Sequence, residues 1–488
     1  MSVVRRPAFL LAAVVLLAAA CGGGGDGNDD NDAKAENTES ADATDATDER
    51  AELRGEEEGA ARFTADELIE LSVDDLQDFW ADVLPDLYGV DYTPIPDDNI
   101  REYGFDTTDF EAVSVCLTGV TTYDEIGPNA FFCSDDQTVA IDVDGFVPDI
   151  FENTGPYAVA DTMAHEWGHV IQDQAEVEPP PPFLELQADC FEGAWTRHLV
   201  DDDTELPITD ADVEVGLADA VKSRDPVGTS PEEPQAHGSG FDRAAAYQDG
   251  FTDGNERCKE YEDDPPGITE LEFEDPTEIE SEGNLPLDEL FEVLLVDLGD
   301  FWTGQVDGFD DPDEITGYDA DDEDSRPECD SAGVDPDDAE DYEGRAFYCA
   351  DEDAIFFDEQ LFDVVESDIG DFGVAVLVAN AYANAVQEQL ELEGDDTELA
   401  LQADCLSGVW TGSLPPFGDR SSGIEGVSPG DLDEAVISFI EFGDPETGDA
   451  SSSPFERMQA FRTGFFAGAG ADPVSTCGDD VAESTDSS

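Results

Sequence analysis

An internal repeat limits the folds open to this chain more than any other feature, because whatever one stretch builds the chain must build twice. Asp78-Phe79-Trp80 returns as Asp300-Phe301-Trp302, and Ala130-Phe131-Phe132-Cys133 as Ala346-Phe347-Tyr348-Cys349. Leu186-Gln187-Ala188-Asp189-Cys190 returns as Leu401-Gln402-Ala403-Asp404-Cys405, and Phe241-Asp242-Arg243 as Phe455-Glu456-Arg457. The matches keep their order, so the chain reads as two copies of one domain, 63–262 and 285–480, with a linker over 263–284. Copies of about 200 residues are of ordinary domain size.

Within the first copy, Thr64 and Glu67 have capping-box spacing and predict a helix through Leu71. Thr138 to Val143 predicts a short strand. Gly155-Pro156 breaks the chain ahead of a helix reaching the Gln172 region. A second helix follows from about Leu184 to Leu199, then further helices over Asp210 to Ser223 and Phe241 to Gly250. The expected class is α+β, mostly helical with a small sheet, present twice in tandem.

Arg5 and Arg6 precede an apolar run from Ala8 to Ala20, and Cys21 with four glycines follows. This is the order of a signal peptide, expected over 1–20, and the run is shorter than the roughly 20 residues that span a bilayer. A cysteine directly after three alanines resembles the lipobox of bacterial lipoproteins, which implies lipidation at Cys21 and anchoring on the extracytoplasmic face of the cell membrane. An ordinary signal peptide with an incidental cysteine is the alternative. Residues 21–62 carry almost no aromatic side chains and read as a disordered acidic tether.

The formal charge is −107, from 125 acidic and 18 basic residues. Such a surface repels nucleic acid and anionic lipid, so neither is expected as a partner. It also suggests a protein working in high salt, where screening relieves self-repulsion. Of nine cysteines, eight remain beyond Cys21, four in each copy. In an exported chain they imply disulfides. Pairing near neighbours favours Cys116 with Cys133, Cys190 with Cys258, Cys329 with Cys349 and Cys405 with Cys477; sequence alone leaves three pairings per copy.

The first copy holds His165-Glu166-Trp167-Gly168-His169. Four residues along a helix rise about 6 Å and turn about 40°, so both imidazoles leave one face and can share a tetrahedral ion. Val159, Met163, Trp167 and Val170 fall on the far side and can pack. Glu185 is the candidate third ligand, which leaves a fourth position for water. Asp189, one turn later, can accept the second N–H of a ligand histidine; helix packing is its alternative role. An offset of 215 residues brings His165 onto Asn380, Glu166 onto Ala381, His169 onto Asn384 and Glu185 onto Ala400, while Asp189 meets Asp404. The proposed chemistry is therefore erased from the second copy, and one zinc per chain is expected. Of the remaining histidines, His198 should point away from the ion. His237 precedes a helix and either stabilises an oxyanion at the site or is a plain loop residue.

Ala164 to His169 with Gln172, Glu185 to Phe191 with Gly193 and Trp195, and His237-Gly238-Ser239 ahead of Arg243 together resemble the neutral zinc metallopeptidase family of bacteria. The resemblance covers the first copy from about Cys116 onward. It implies a zincin-like fold, zinc at His165, His169 and Glu185, and Glu166 as general base for hydrolysis of a peptide or protein substrate. The expected activity is that of a membrane-anchored zinc peptidase, with the two copies packed together. The rival is a non-enzymatic envelope protein with a structural zinc; zinc-dependent hydrolysis of a non-peptide cell-wall bond is a third reading.

Overall fold

The computed structural model describes residues 59–478 except 178, 203, 234–235, 274–275, 307, 313, 393, 419–425, 443–451, 469–472 and 474. The signal peptide, Cys21 and most of the tether lie outside the described residues. The tether ends earlier than expected. Gly59–Arg62 is already a 3-10 turn with Ala60 buried, and its backbone is fixed by Asp212 Oδ2, which accepts the Ala60 N–H at 3.2 Å.

The fold is α+β, with two small three-stranded mixed sheets among many helices. Helix α1 (Ala65–Tyr88) starts at the Thr64–Glu67 capping box but runs well past Leu71, because Leu68, Ile69, Leu76, Trp80, Leu84 and Leu87 keep a buried stripe at helical spacing. Strand β1 is Ile100–Tyr103, α2 is Phe110–Val113, β2 is Ala130–Cys133 and β3 is Thr138–Asp142. Then come α3 (Phe146–Asn153), α4 (Ala158–Ala175), α5 (Phe183–Asp201), α6 (Asp210–Lys222), α7 (Gly240–Asp253) and α8 (Asn255–Glu260). The first sheet has the order β1-β3-β2, with β1 parallel and β2 antiparallel to β3. The strand expected at Thr138 to Val143 is therefore central, buried at every position and paired on both sides.

The segment expected as a linker is seated on the protein. It contains α9 (Pro276–Ser281), and Thr269 is buried, giving its N–H and hydroxyl to Asp242. Helix α10 (Leu287–Gln305) opens the second half, followed by β4 (Glu314–Tyr318), β5 (Ala346–Cys349), β6 (Ala354–Asp358), α11 (Glu359–Asp368), α12 (Asp371–Leu390), α13 (Asp396–Thr411), α14 (Asp431–Phe442) and α15 (Pro454–Ala467). Its sheet runs β4-β6-β5, again with the first pair parallel and the second antiparallel.

The disulfides are Cys116–Cys133, Cys190–Cys258, Cys329–Cys349 and Cys405–Cys477. One large core takes in Leu217, Val221, Phe241 and Tyr247 of the first half together with Phe439, Phe461 and Phe465 of the second. Among the described residues no helix is long and apolar enough to cross a membrane.

Two helix crossings set the scene for the candidate site. Helices α5 and α7 approach so closely that a Cβ on Gly193 would lie 2.0 Å from the Tyr247 carbonyl oxygen, and one on Gly250 would lie 1.8 Å from that of Cys190. Helices α13 and α15 use Gly408 against Phe461 and Gly464 against Cys405 in the same way. Only glycine permits this backbone approach.

Candidate metal centre

Helix α4 places His165, Glu166 and His169 opposite Glu185 on α5. Val159, Met163, Trp167 and Val170 are fully buried on its other face, and the Trp167 indole donates to Tyr92 at 2.9 Å. The helix is thus held on its packing side and free to present the polar one.

His165 Nε2 and His169 Nε2 each lie 3.3 Å from the same oxygen, Glu185 Oε2, and the rings stand 4.9 Å apart at 90°. The other ring nitrogens are engaged elsewhere. His165 Nδ1 meets Asp189 Oδ1 at 2.7 Å, and His169 Nδ1 meets Gln172 Oε1 at 2.8 Å. With those contacts made through Nδ1–H, both Nε2 lone pairs converge with a carboxylate oxygen. That donor set fits a zinc ion, for which two imidazoles and a carboxylate are a usual ligand trio. The three ligand atoms all lie within 4.8 Å of one another.

Glu166 is 6% exposed, and its Oε2 has no hydrogen-bond partner. Burial pushes its pKa up, the two histidines oppose that, and a backbone hydrogen bond from Phe132 in β2 also opposes it. A buried carboxylate with one oxygen held by backbone and the other unpartnered is arranged to exchange a proton. Burial works against charge on His165, and Asp189, Glu185 and Glu192 outweigh it, so its pKa is raised well above the ordinary value. Burial also resists ionisation of Glu185, but His169 and His165 prevail and hold its carboxyl well below the usual range.

Sequence reasoning gave no role to three groups around this trio. Arg243 on α7 grips Asp189 with two bonds, Nε to Oδ2 at 3.0 Å and Nη2 to Oδ1 at 2.7 Å, and both side chains are buried. The recurrence of Phe-Asp/Glu-Arg marked this residue; its partner was not legible. Gln172 also donates to the Leu184 carbonyl at 2.7 Å, tying α4 to the start of α5. Glu192 lies 3.5 Å from His165 Nδ1. It stands where the second half has Ser407, so this carboxylate too is lost there.

His237 is outside the cluster. Its side chain is half exposed, with its backbone N–H on Asp225 Oδ2 at 2.6 Å and its ring Nδ1 3.1 Å from Asp225 Oδ1. The neighbouring Gly238 lies against Leu186 and Pro182 at the head of α5. His198 does face away from the trio, packing on Phe79 at 4.9 Å and pairing with Asp202 at 2.9 Å.

The fold and these residues define a class of site: two imidazoles and a carboxylate converging between two helices of an α+β chain, able to hold a metal ion, with a second buried carboxylate beside them. The chain is 28% identical over 152 residues to the uncharacterized protein YpfJ of Escherichia coli strain K12, covering 27% of this chain and 52% of that protein. It is also 28% identical over 158 residues to an uncharacterized protein of Mycobacterium tuberculosis, covering 27% of this chain and 53% of that one. The chain thus spans about half the length of the curated relatives it matches. No family model matches, and no solved structure matches.

Proposed function

We propose that this chain is a zinc-dependent peptidase, anchored by lipid at Cys21 on the outer face of the cell membrane, and that its two halves are copies of one zincin-like domain of which only the first is active. The observation carrying the reading is the meeting of His165 Nε2, His169 Nε2 and Glu185 Oε2 beside the unpartnered Oε2 of buried Glu166. The four disulfides suit an oxidising compartment.

Bound zinc supplies Lewis acidity that makes water nucleophilic near neutral pH. His165, His169 and Glu185 hold the ion. Asp189 and Gln172 fix the imidazole tautomers, and Arg243 fixes Asp189. Glu166 takes the proton of the attacking water on Oε2 and passes it to the leaving amine, while the Phe132 N–H keeps the carboxyl in place. An extended peptide pairs along β2, an edge strand, because β3 has both edges filled.

Glu166→Gln tests the reading. The variant should keep one zinc and lose cleavage of a denatured protein substrate. Cleavage at the parent rate would dispose of the mechanism, and a parent without zinc would dispose of the metal centre.

A further inference from the structure

We infer that the second half is a built-in positioning partner of the metal centre, acting through Asp433; this rests on the metal-centre reading above. The halves meet by exchange. Phe251 packs on Phe455 with ring centroids 5.1 Å apart, and Phe465 packs on Phe241 at 5.2 Å. Glu214 Oε2 on α6 accepts the Phe455 N–H at the start of α15 at 3.0 Å, and Asp433 Oδ1 on α14 accepts the Phe241 N–H at the start of α7 at 2.9 Å. Each half thus grips the same helix of the other with the same kind of residue, as in an isologous interface between subunits.

The exchange is uneven where it matters. Asp433 is buried, and its second oxygen lies 3.3 Å from Arg224 Nε. It therefore holds two pieces of the first half at once. One is the first turn of α7, two residues ahead of Arg243. The other is the segment at Arg224, flanked by Ser223, whose carbonyl accepts from Arg243 Nη1, and by Asp225, the seat of His237. From Asp433 the contacts lead to Arg243, from Arg243 to Asp189, and from Asp189 to the ligand His165. The mirrored path runs from Glu214 to α15, Arg457, Asp404 and Asn380, and ends on no ligand. Glu214 is therefore an internal control: it accepts the matching helix-start N–H, is only partly buried where Asp433 is buried, and leads to no ligand. Asp433 is a positioning residue, and the second half is retained because the site leans on it.

The full mature chain decides this with Asp433→Ala, Asp433→Asn and Glu214→Ala. Three readouts are taken: zinc affinity by chelator competition, melting of the zinc-free chain, and hydrogen exchange of the zinc-free chain at the amides of 241–243 and at the His165 ring. Asp433→Ala and Glu214→Ala should both lower the melting temperature, Asp433→Ala the more because it also breaks the pair with Arg224. Only Asp433→Ala should weaken zinc, by about tenfold, the lower end of what outer-shell partners contribute, and only it should speed exchange at 241–243 and alter that of the His165 ring. Asp433→Asn, which still accepts the Phe241 N–H, should recover most of the affinity and keeps the test open if the alanine variant fails to fold. Equal zinc affinity in Asp433→Ala and the parent, equal weakening in both alanine variants, or unchanged exchange at 241–243 would overturn the proposal. A parent that binds no zinc would sink the metal reading separately, and the exchange measurement would still decide whether Asp433 holds this segment.

Discussion

Helices α4 and α5 of the first half and α12 and α13 of the second are built on one frame and differ where an ion would sit. His165 meets Asp189 Oδ1 at 2.7 Å, and Asn380 donates to Asp404 Oδ1 at the same distance. Arg243 clasps Asp189 and Arg457 clasps Asp404, each with two bonds. Gln172 reaches the Leu184 carbonyl at 2.7 Å, and Gln387 reaches that of Leu399 at 2.7 Å. Trp195 and Trp410 donate to Asp75 and Asp297, both at 2.8 Å. Against this agreement, Glu166 faces Ala381, Glu185 faces Ala400 and Glu192 faces Ser407. The lesson is that the Arg–Asp clasp and the glutamine tie belong to helix packing, since they recur in the second half without the histidine–glutamate set, and that this set is a small addition to them.

The comparison breaks most visibly if the ligands are removed. Glu185→Ala copies the second half's Ala400 into the first, and we expect zinc content to fall from one equivalent per chain to none, with all hydrolysis. Asn380→Ala should change neither. Metal analysis showing zinc retained in Glu185→Ala would move the third ligand elsewhere.

A sharper pair is Asp189→Ala and Asp404→Ala. Each removes the carboxylate paired with a buried arginine, so each should cost about 3–5 kcal/mol, the usual range for breaking a buried ion pair. Denaturant melts should show similar losses. Zinc affinity should fall by about 10–100-fold in Asp189→Ala alone, because only there does the carboxylate orient a ligand. If Asp404→Ala is as stable as the parent, the shared frame is not structural.

Next in size is a gain. Asn380→His, Asn384→His, Ala400→Glu and Ala381→Glu together should create a second zinc site, weaker than the first. Ala381 is fully buried, so a glutamate there meets packed neighbours. A folded variant with a single zinc would show that the second cleft has closed.

The histidine pair was legible because a helix converts a spacing of four into a shared face, so bringing His165 and His169 together needed no tertiary information. Glu185 was legible only through the second stretch, where Ala400 replaces it, since carboxylates four apart are common in so acidic a chain; Asp189, which meets Asp404, was not singled out by that erasure. What stayed hidden depends on which helix crosses which. Nothing near Arg243 in sequence says that Gly193 and Gly250 bring α7 onto α5, or that Phe241 would be held from the second half by Asp433. The sheet was half seen. β3 is a β-branched run, whereas β1, Ile100–Tyr103, is four residues with two charges and becomes a strand only by pairing with β3. Helix α1 runs on past Leu71 because Leu76, Trp80, Leu84 and Leu87 continue its buried stripe.

The smallest expected effect concerns acid groups that the halves bury in different places. In the first half Glu192 lies buried beside His165 and Asp219 lies buried against Thr162, and burial pushes Asp219 up to about 7. In the second half Asp371, Asp431 and Glu434 meet at the start of α12, all three buried. Gly370 there, at φ +149°, lies so close to Glu434 that a Cβ would clash with its carboxyl, whereas Gly155, at φ +150°, lies against Val215. Burial and then Asp371 push Glu434 up to about 8, and burial pushes Asp371 to about 6. Folded-state values above the unfolded ones, near 4, mean the native chain binds more protons, so stability is greatest below about pH 4 as far as these groups decide it and is lost as pH rises through about 6 to 8. Glu434→Gln stays neutral and still accepts the Phe372 N–H, which Glu434 Oε2 accepts at 2.9 Å. The parent should melt lower at pH 8 than at pH 5.5, and the difference should narrow in Glu434→Gln. Val215→Glu, placing an acid against the first half's glycine, should widen it. A parent whose melting temperature is flat over that range, or a Glu434→Gln variant that shifts equally at both values, would show that these carboxylates keep their charge in the folded chain and that the second half's acid cluster is not the pH-sensitive counterpart of the first half's metal centre.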